Sequence, residues 1–231
     1  MTEPNREPIP LKEPIFITRY SVAARVHHWF TAVTAILLVL SGLAFFHPSL
    51  FFLTNLFGGP TWTRIIHPWL GVIMTLSFLD LFVRFWRDNI WHPEDWVWIK
   101  NLSLIGHHAE RLPALRRYNA GQKAMFWVMT ITIFAMFFSG IVLWQSQFGG
   151  VFSTGQMRIA AIVHAASAVL MVINLIVHVY AAIWFRGTIR AMTRGTVTGG
   201  WAWKHHRRWL REQLRSEPAM AEETPQSRAA E

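Results

Sequence analysis

Two histidines lie inside one long apolar stretch of the chain, at 158–186. The stretch reads RIAAIVHAASAVLMVINLIVHVYAAIWFR, and its histidines are His164 and His178. The two histidines are fourteen residues apart. At ~100° and ~1.5 Å per residue in a helix, they lie within about 40° of the same face and roughly 21 Å apart along the axis. An imidazole is costly to bury in lipid and is therefore a candidate functional group. One helix that presents two imidazoles on one face, at opposite depths, predicts two haem irons stacked across a membrane.

Four apolar segments are long enough to position such histidines in a bilayer. They are predicted at 28–46, 67–85, 124–145 and 159–185, and each can cross ~30 Å of hydrocarbon. The 231 residues are 52% hydrophobic and include 13 tryptophans, which favour membrane–water interfaces. The chain has no cysteine, which excludes a Cys-ligated iron–sulfur cluster and covalent haem attachment. The predicted fold is therefore all-α, an integral membrane bundle of four transmembrane helices that binds two b-type haems.

Lysine and arginine are distributed unevenly among the connections between these segments. Four lie before the first segment, seven lie between positions 84 and 123, and nine lie from position 186 onward, whereas the two remaining loops hold only Arg64 and Arg158. The positive-inside rule therefore places both termini and the long connection in the cytoplasm, in a multi-pass protein of a bacterial inner membrane. The net charge of +9 reflects this topology and does not indicate nucleic-acid binding.

The chain divides into four predicted regions. These are a cytoplasmic N-terminal arm at 1–25, the transmembrane dihaem domain at 26–190, a cytoplasmic basic amphipathic helix at 191–215 and a disordered tail at 216–231. The sequence WAWKHHRRWLREQLR at 201–215 is typical of a helix lying on the inner membrane surface. Six other histidines are expected in loops or on solvated basic surfaces: His47, His92, His107, His108, His205 and His206.

The predicted orientation sorts four histidines into two pairs by depth. The fourth span descends from the outer to the inner face, so His164 is outer and His178 is inner. The second span begins outside with His67, and the first span begins inside with His28. His67 and His164 therefore form the outer pair, and His28 and His178 form the inner pair. Two axial imidazoles on one iron make an electron-transfer site with no open position for oxygen.

The residues themselves leave two points open. His27 and His28 point ~100° apart, so only one of them can share the haem face. The smaller neighbours and deeper position of His28 favour it. Small residues follow the histidines at helical spacing, where they would let a macrocycle approach the backbone or would serve ordinary helix packing: Ala32, Ala35, Gly42 and Gly71.

Several segments, in order along most of the chain, resemble one known family. They are RVHHW (25–29), RIIHPWLG (64–71), LFVRFWRDNI (81–90), YNAGQKAMFW (118–127), IVHAASAV (162–169), LIVHVYAAIWFRGTI (175–189) and WAWKHHRRWLRE (201–212). Together they resemble the gamma subunit, a cytochrome b, of the respiratory membrane-bound formate dehydrogenases. The resemblance implies axial haem ligands at His28, His67, His164 and His178, and so prefers His28 to His27.

The resemblance also implies a quinone site beside the inner haem. It places Asn119, Gly121 and Gln122, with His178, around a menaquinone or ubiquinone. Amide side chains can hydrogen-bond a quinone carbonyl and glycine permits close approach, although Asn119 equally suits a helix N-cap. An iron–sulfur beta subunit and a molybdenum- or tungsten-pterin alpha subunit would then oxidise formate and supply the electrons. Complexes of this type can assemble as homotrimers.

Other roles are compatible with the same residues. The chain could be the cytochrome b subunit of a nickel–iron hydrogenase or of a thiosulfate-reductase-type complex, which co-purified subunits would reveal. It could be a stand-alone haem b quinone oxidoreductase, active without soluble subunits. A membrane anchor whose histidines only bridge helices would show no Soret absorbance.

Overall fold

Four long apolar helices form the body of the protein. The computed structural model describes residues 15–101 and 115–221, with side chains to position 215. Helices are numbered along the chain, and the four long ones are α1 Val22–Phe46, α2 Pro60–Phe85, α4 Ala120–Leu143 and α6 Thr154–Trp184. Each is long and apolar enough to cross a membrane. The predicted class, an all-α multi-pass membrane protein with four spans, is confirmed.

The first two spans begin earlier than their apolar pattern indicates. The Ser21 hydroxyl accepts the Ala24 N–H at 3.3 Å and caps α1, and Pro60 occupies the first turn of α2, where a missing N–H costs nothing. His28 and His67 therefore lie nearly two turns inside their helices. The expectation that both stand in a first turn is wrong, because Arg25 and Arg64 interrupt the apolar pattern in the early turns.

Shorter elements connect the spans. A 3-10 helix at Pro48–Phe57 joins α1 to α2, and Arg87–Asn89 forms another after α2. Two three-residue strands, β1 and β2, pair antiparallel with Ile17 opposite Val197. The elements outside the spans are β1 Phe16–Thr18, α3 Pro93–Lys100, α5 Gln145–Phe148, α7 Thr188–Arg194, β2 Thr196–Thr198, α8 Gly199–His205 and α9 Arg207–Ala221.

The spans pack as two helical hairpins. Helix α1 lies along α2 and α4 lies along α6, and the hairpins meet through α2 and α4. An apolar cluster fills the middle of the bundle: Met74, Phe78, Ile133 and Met171. The end where α1 begins and α6 ends adjoins the lysine- and arginine-rich segments, and we call it the basic end. The opposite end, with the two short connections, is the loop end.

The segments beyond the spans fold into a compact cap on the basic end. Its buried apolar residues come from α7, β2, α8 and α9: Ala191, Val197, Ala202, Trp209 and Leu210. Arg19 is buried against them, with its guanidinium carbon 5.1 Å from the Trp201 ring and 4.8 Å from the Trp209 ring. Arg19 also donates to the Arg117 carbonyl at 2.6 Å, and Arg117 donates back to the Arg19 carbonyl at 2.7 Å. The cap is therefore fastened to the segment that precedes α4.

The cap corrects several expectations. The region 191–215 is not one surface helix, because the chain forms β2 and then breaks between α8 and α9 at His206. His206 is only 2% exposed, so its assignment to a solvated surface is wrong. Helix α9 continues to Ala221, so disorder does not begin at position 216; residues 222–231, like His107 and His108, lie outside the described residues. The segment 201–215 is predicted from its sequence to lie on the membrane because tryptophan and leucine alternate with arginine. The same pattern also suits a helix that buries its apolar side chains in a folded cap.

Acid should loosen the cap through His206. Its Nδ1 lies 2.9 Å from the Arg116 carbonyl and its Nε2 lies 3.4 Å from Arg19, which suits a neutral ring. Burial, aided by the Arg19 charge, lowers the His206 pKa to about 3. Between pH 6.5 and that value the unfolded cap binds a proton that the folded cap does not, so stability falls as pH falls. From pH 6.5 to 4.5 the loss is about 2 kcal/mol, or ~50-fold.

Limited proteolysis of α9 at each pH measures this loss. The matched variant is His206→Gln, whose amide can donate to Arg116 and accept from Arg19 but does not titrate in this range. We expect the protection of the native protein, relative to the variant at the same pH, to decline below pH 6.5. A constant ratio from pH 7 to 4.5 would show that His206 is not the acid-sensitive group.

Candidate functional site

The structure brings the four predicted histidines together as two facing pairs. The ring centres of His28, on α1, and His178, on α6, are 6.1 Å apart near the basic end. Those of His67, on α2, and His164, on α6, are 6.3 Å apart near the loop end. Helix α6 therefore contributes one imidazole to each pair, with Met171 of the apolar cluster midway between them.

Both ring spacings fit a metal ion held between two imidazoles. A metal–nitrogen bond of about 2 Å on each side, with about 1.1 Å from each nitrogen to its ring centre, places the centres roughly 6.2 Å apart. The described residues contain no cluster of three or more histidine, aspartate or glutamate side chains that could hold a metal. A group that brings its own equatorial ligands, as haem does, therefore suits these pairs better than a bare ion.

His27 faces away from both pairs. Its Nδ1 lies 3.4 Å from the Ser77 hydroxyl and its Nε2 lies 3.9 Å from the Asp80 carboxylate, both on α2. The adjacent His28 turns toward α6 instead. The geometry therefore separates these neighbours as the ~100° step of a helix requires.

A serine and a glycine of α1 support the ring of His67. The Ser41 hydroxyl lies 2.7 Å from His67 Nδ1, and Ser41 is fully buried. A Cβ on Gly42 would lie 3.5 Å from His67 Cε1, so a side chain larger than alanine would press on the ring. Gly71, in contrast, lies against Leu38 of α1 and serves helix packing.

The same arrangement recurs in the second hairpin. The Ser139 hydroxyl of α4 lies 3.0 Å from His164 Nδ1, and a Cβ on Gly140 would lie 3.5 Å from His164 Cε1. The dipeptide Ser-Gly thus stands beside a histidine of the loop-end pair in both hairpins. Sequence reasoning overlooked both serines, although the repeated Ser-Gly near the end of two spans was a signal that could have identified them.

The basic-end pair has no such support. In the described part of the chain His28 Nδ1 is buried without a hydrogen-bond partner, and no ring nitrogen of His178 has one. The two pairs therefore differ in their hydrogen bonding although their ring spacings are alike.

Two other histidines occupy the loop positions expected of them. His47 precedes the 3-10 helix at Pro48–Phe57, where its Nδ1 accepts the Ser49 N–H at 3.2 Å. His92 precedes α3, and its backbone N–H donates to Asp95 at 2.7 Å. Neither ring approaches a histidine pair.

The predicted quinone residues form the N-terminus of α4. Asn119 Oδ1 accepts the Gln122 N–H at 2.8 Å, and Gln122 Oε1 accepts the Asn119 N–H at 3.0 Å, which is a capping box. This fixes both amides with their oxygens toward the backbone. Among the described residues neither amide nitrogen has a partner, so two N–H₂ groups remain as donors at this helix end. Capping and ligand binding are therefore compatible.

Helix α3 covers this N-terminus through a buried ion pair. Lys123 Nζ donates to the Asp95 carboxylate at 2.7 Å and to the Ile90 carbonyl at 2.9 Å, and both charged side chains are under 5% exposed. The pairing sets Trp98 of α3 against α4, so that a Cβ on Gly121 would lie 3.4 Å from the indole. The glycine thus lets an aromatic ring approach the amide donors closely.

Comparison with known proteins gives consistent results. Residues 19–195 match the family model of the prokaryotic cytochrome b561 proteins. The cytochrome b556(fdo) subunit of formate dehydrogenase from Escherichia coli is 40% identical over 89% of this chain and 97% of its own length. The nitrate-inducible cytochrome b556(Fdn) subunit of the same organism is 35% identical over 85% and 91%, respectively. The formate dehydrogenase cytochrome b556 subunit of Haemophilus influenzae is 35% identical over 87% and 84%.

Proposed function

The chain belongs to the prokaryotic cytochrome b561 family, and from that premise we propose that it is the cytochrome b subunit of a formate dehydrogenase that reduces quinone. The observation that carries the proposal is the placement of two facing histidine pairs toward opposite ends of one four-span bundle. The three relatives compared above are named as formate dehydrogenase cytochrome b556 subunits, which favours this partner over a hydrogenase or a thiosulfate reductase.

The basic end faces the cytoplasm in this proposal. The segments at that end carry 20 of the 22 lysines and arginines, and such charges are retained on the cytoplasmic side of an inner membrane. Both termini are then cytoplasmic, and the loop end faces the periplasm. The exposed apolar faces of the four spans contact lipid.

The partners follow from the same orientation. An iron–sulfur subunit docks at the loop end and receives electrons from a molybdenum- or tungsten-pterin subunit that oxidises formate. The proposal assigns formate oxidation to that pterin subunit and electron transfer to this chain. The complex as a whole is expected to form a homotrimer, as complexes of this type can.

The chain's own residues hold and protect the redox groups. Haem b, bound once at each histidine pair, supplies reversible one-electron chemistry at its iron. His67 and His164 hold the loop-end group, and His28 and His178 hold the basic-end one. With two histidines committed to each group, no open ligand position would be left for oxygen. The apolar cluster around Met171 keeps water from the space between the two sites.

Quinone binds at the N-terminus of α4, next to the basic-end pair. The free amide N–H₂ groups of Asn119 and Gln122 donate to a quinone carbonyl, and the exposed backbone at Gly121 permits close approach. His178, on α6 at the same end of the bundle, completes the proposed site. The two protons of the quinol come from the cytoplasm.

An exchange of one atom at Asn119 tests the quinone site. Asn119→Asp keeps the oxygen that caps α4 but removes the N–H₂ donor, whereas Asn119→Ala removes both. Loss of one hydrogen bond to quinone is worth about 1 kcal/mol, so the rate of quinone reduction should fall ~5–10-fold in both variants. The measurement is formate-driven reduction of a quinone analogue by the purified complex.

Haem reduction by formate supplies the internal control. Both haems should remain fully reducible in both variants, because the donors touch only the acceptor. If Asn119→Asp reduced quinone at the native rate, the amide would be a helix cap only and the site would lie elsewhere.

A further inference from the structure

The hydrogens of Ser41 and Ser139 are already committed to backbone carbonyls. The Ser41 hydroxyl donates to the Leu37 carbonyl at 2.8 Å, and the Ser139 hydroxyl donates to the Ala135 carbonyl at 2.6 Å. A hydroxyl has one hydrogen, so each serine oxygen can only accept from the histidine beside it.

The histidine tautomers follow from this. Nδ1 of His67 and Nδ1 of His164 must each carry the hydrogen, donated to serine at 2.7 and 3.0 Å. Each Nε2 is then left with a free lone pair, which is the form of the ring that binds iron. In the basic-end pair, among the described residues, His28 Nδ1 has no acceptor.

We propose that Ser41 and Ser139 set the two haem sites at different reduction potentials, with the loop-end site the lower. This rests on the proposed function, in that both histidine pairs hold haem. A hydrogen bond from Nδ1–H to an acceptor increases electron donation from Nε2, which stabilises ferric over ferrous iron. Two such bonds act on the loop-end iron, one from each axial side. The concentration of lysine and arginine at the opposite end favours the reduced form there, in the same direction.

The consequence is a built-in direction for electron transfer. With haem held at both histidine pairs, one electron would pass from the loop-end site, which would be oxidised, to the basic-end site, which would be reduced. No proton or further reactant is required for this step, and the electron originates from formate oxidation in the partner subunits. The serines are positioning residues, since they act on iron only through a histidine.

Redox titration of the visible spectrum tests the proposal on the intact complex. The variants are Ser41→Ala, Ser139→Ala and the double replacement. We expect each single change to shift the loop-end haem toward its reduced form by up to about tenfold at fixed potential, equivalent to ~59 mV for a one-electron couple. The basic-end haem should not move, and the double variant should bring the two potentials closer.

Two further variants make the result specific. Ser77→Ala removes a hydroxyl that contacts His27 and Thr31 but no histidine of either pair, and it should leave both potentials unchanged. Ser139→Thr keeps the hydroxyl, since threonines here also donate one turn back, as Thr132 does to Val128 at 2.7 Å, and it should restore the native potential.

Every outcome decides between the two levels of inference. If the native complex had no low-spin haem with two axial histidines, the proposed function would fail. If it had two such haems and the serine variants kept both at unaltered potentials, or moved only the basic-end haem, the tuning would be refuted while the function stood. If the alanine variants lost the loop-end haem, the difference between the two haem potentials in the native complex would still test the proposal, together with the potential of Ser139→Thr. Equal potentials of the two haems in the native complex would overturn it.

Discussion

Replacing His164 by alanine should remove the loop-end haem and leave the basic-end haem in place. The haem content of the chain should fall by about half, because His67 alone cannot hold a b-type haem that has no covalent attachment. Loss of a residue that only hydrogen-bonds to a metal ligand already lowers metal affinity about 10–100-fold, so loss of the ligand itself should lower it further. Haem extraction together with the low-temperature spectrum measures both quantities, and formate-driven quinone reduction should fall to background.

His47→Ala is the matched control at the same end of the bundle. His47 caps the short helix at Pro48–Phe57 and touches neither pair, so its replacement should retain both haems and the native rate. A His164→Ala protein that kept both haems, or that lost only the basic-end haem, would contradict the pairing.

Breaking the ion pair between Lys123 and Asp95 should have the largest effect on stability. Asp95→Asn keeps an oxygen for the His92 N–H but leaves the Lys123 ammonium buried without its charge partner, 2% exposed. Removal of one member of a buried pair costs about 3–5 kcal/mol. Denaturant titration measures this loss in the free energy of unfolding. Since the pair fastens α3 over the start of α4, the rate of quinone reduction should decline as well.

A neighbouring ion pair and a double variant supply the controls. Glu94, which lies beside Asp95 on α3, pairs with Arg208 of α9 at 3.1 Å. Both of these side chains are about 40% exposed, so Glu94→Gln should cost under about 1 kcal/mol. In Asp95→Asn/Lys123→Met no charge remains buried, and its loss should be smaller than the sum of the single losses. Additive losses, or equal costs at Asp95 and Glu94, would show that the buried charges are not coupled.

The sequence predicts the spans and the facing of the histidines because both depend on simple periodicities. Apolar runs of membrane length predict four helices, and lysine and arginine fix which helix ends share a side. Depth alone then pairs His28 with His178 and His67 with His164, and the structure brings the same residues together. Helix starts are less visible: α1 begins after Ser21 and α2 begins at Pro60, and in each the apolar pattern is interrupted soon afterwards, by Arg25 and by Arg64.

The features that sequence reasoning missed depend on contacts between distant segments. Ser41 and Ser139 resemble the many span serines and threonines that bond only to their own helix, and only the crossing of α1 with α2 and of α4 with α6 shows the histidine that each supports. His206 sits in a basic run that suggests solvent exposure. Its burial results from Arg19, which reaches it from the far end of the chain.

The central claim is that two irons lie between the histidine pairs at opposite ends of the bundle. Anomalous diffraction at the iron absorption edge, from crystals of the haem-loaded complex, locates them directly. We predict two peaks assigned to this chain, one between His28 and His178 and one between His67 and His164, roughly 20 Å apart along α6. A single peak, or iron bound away from these four side chains, would contradict the account.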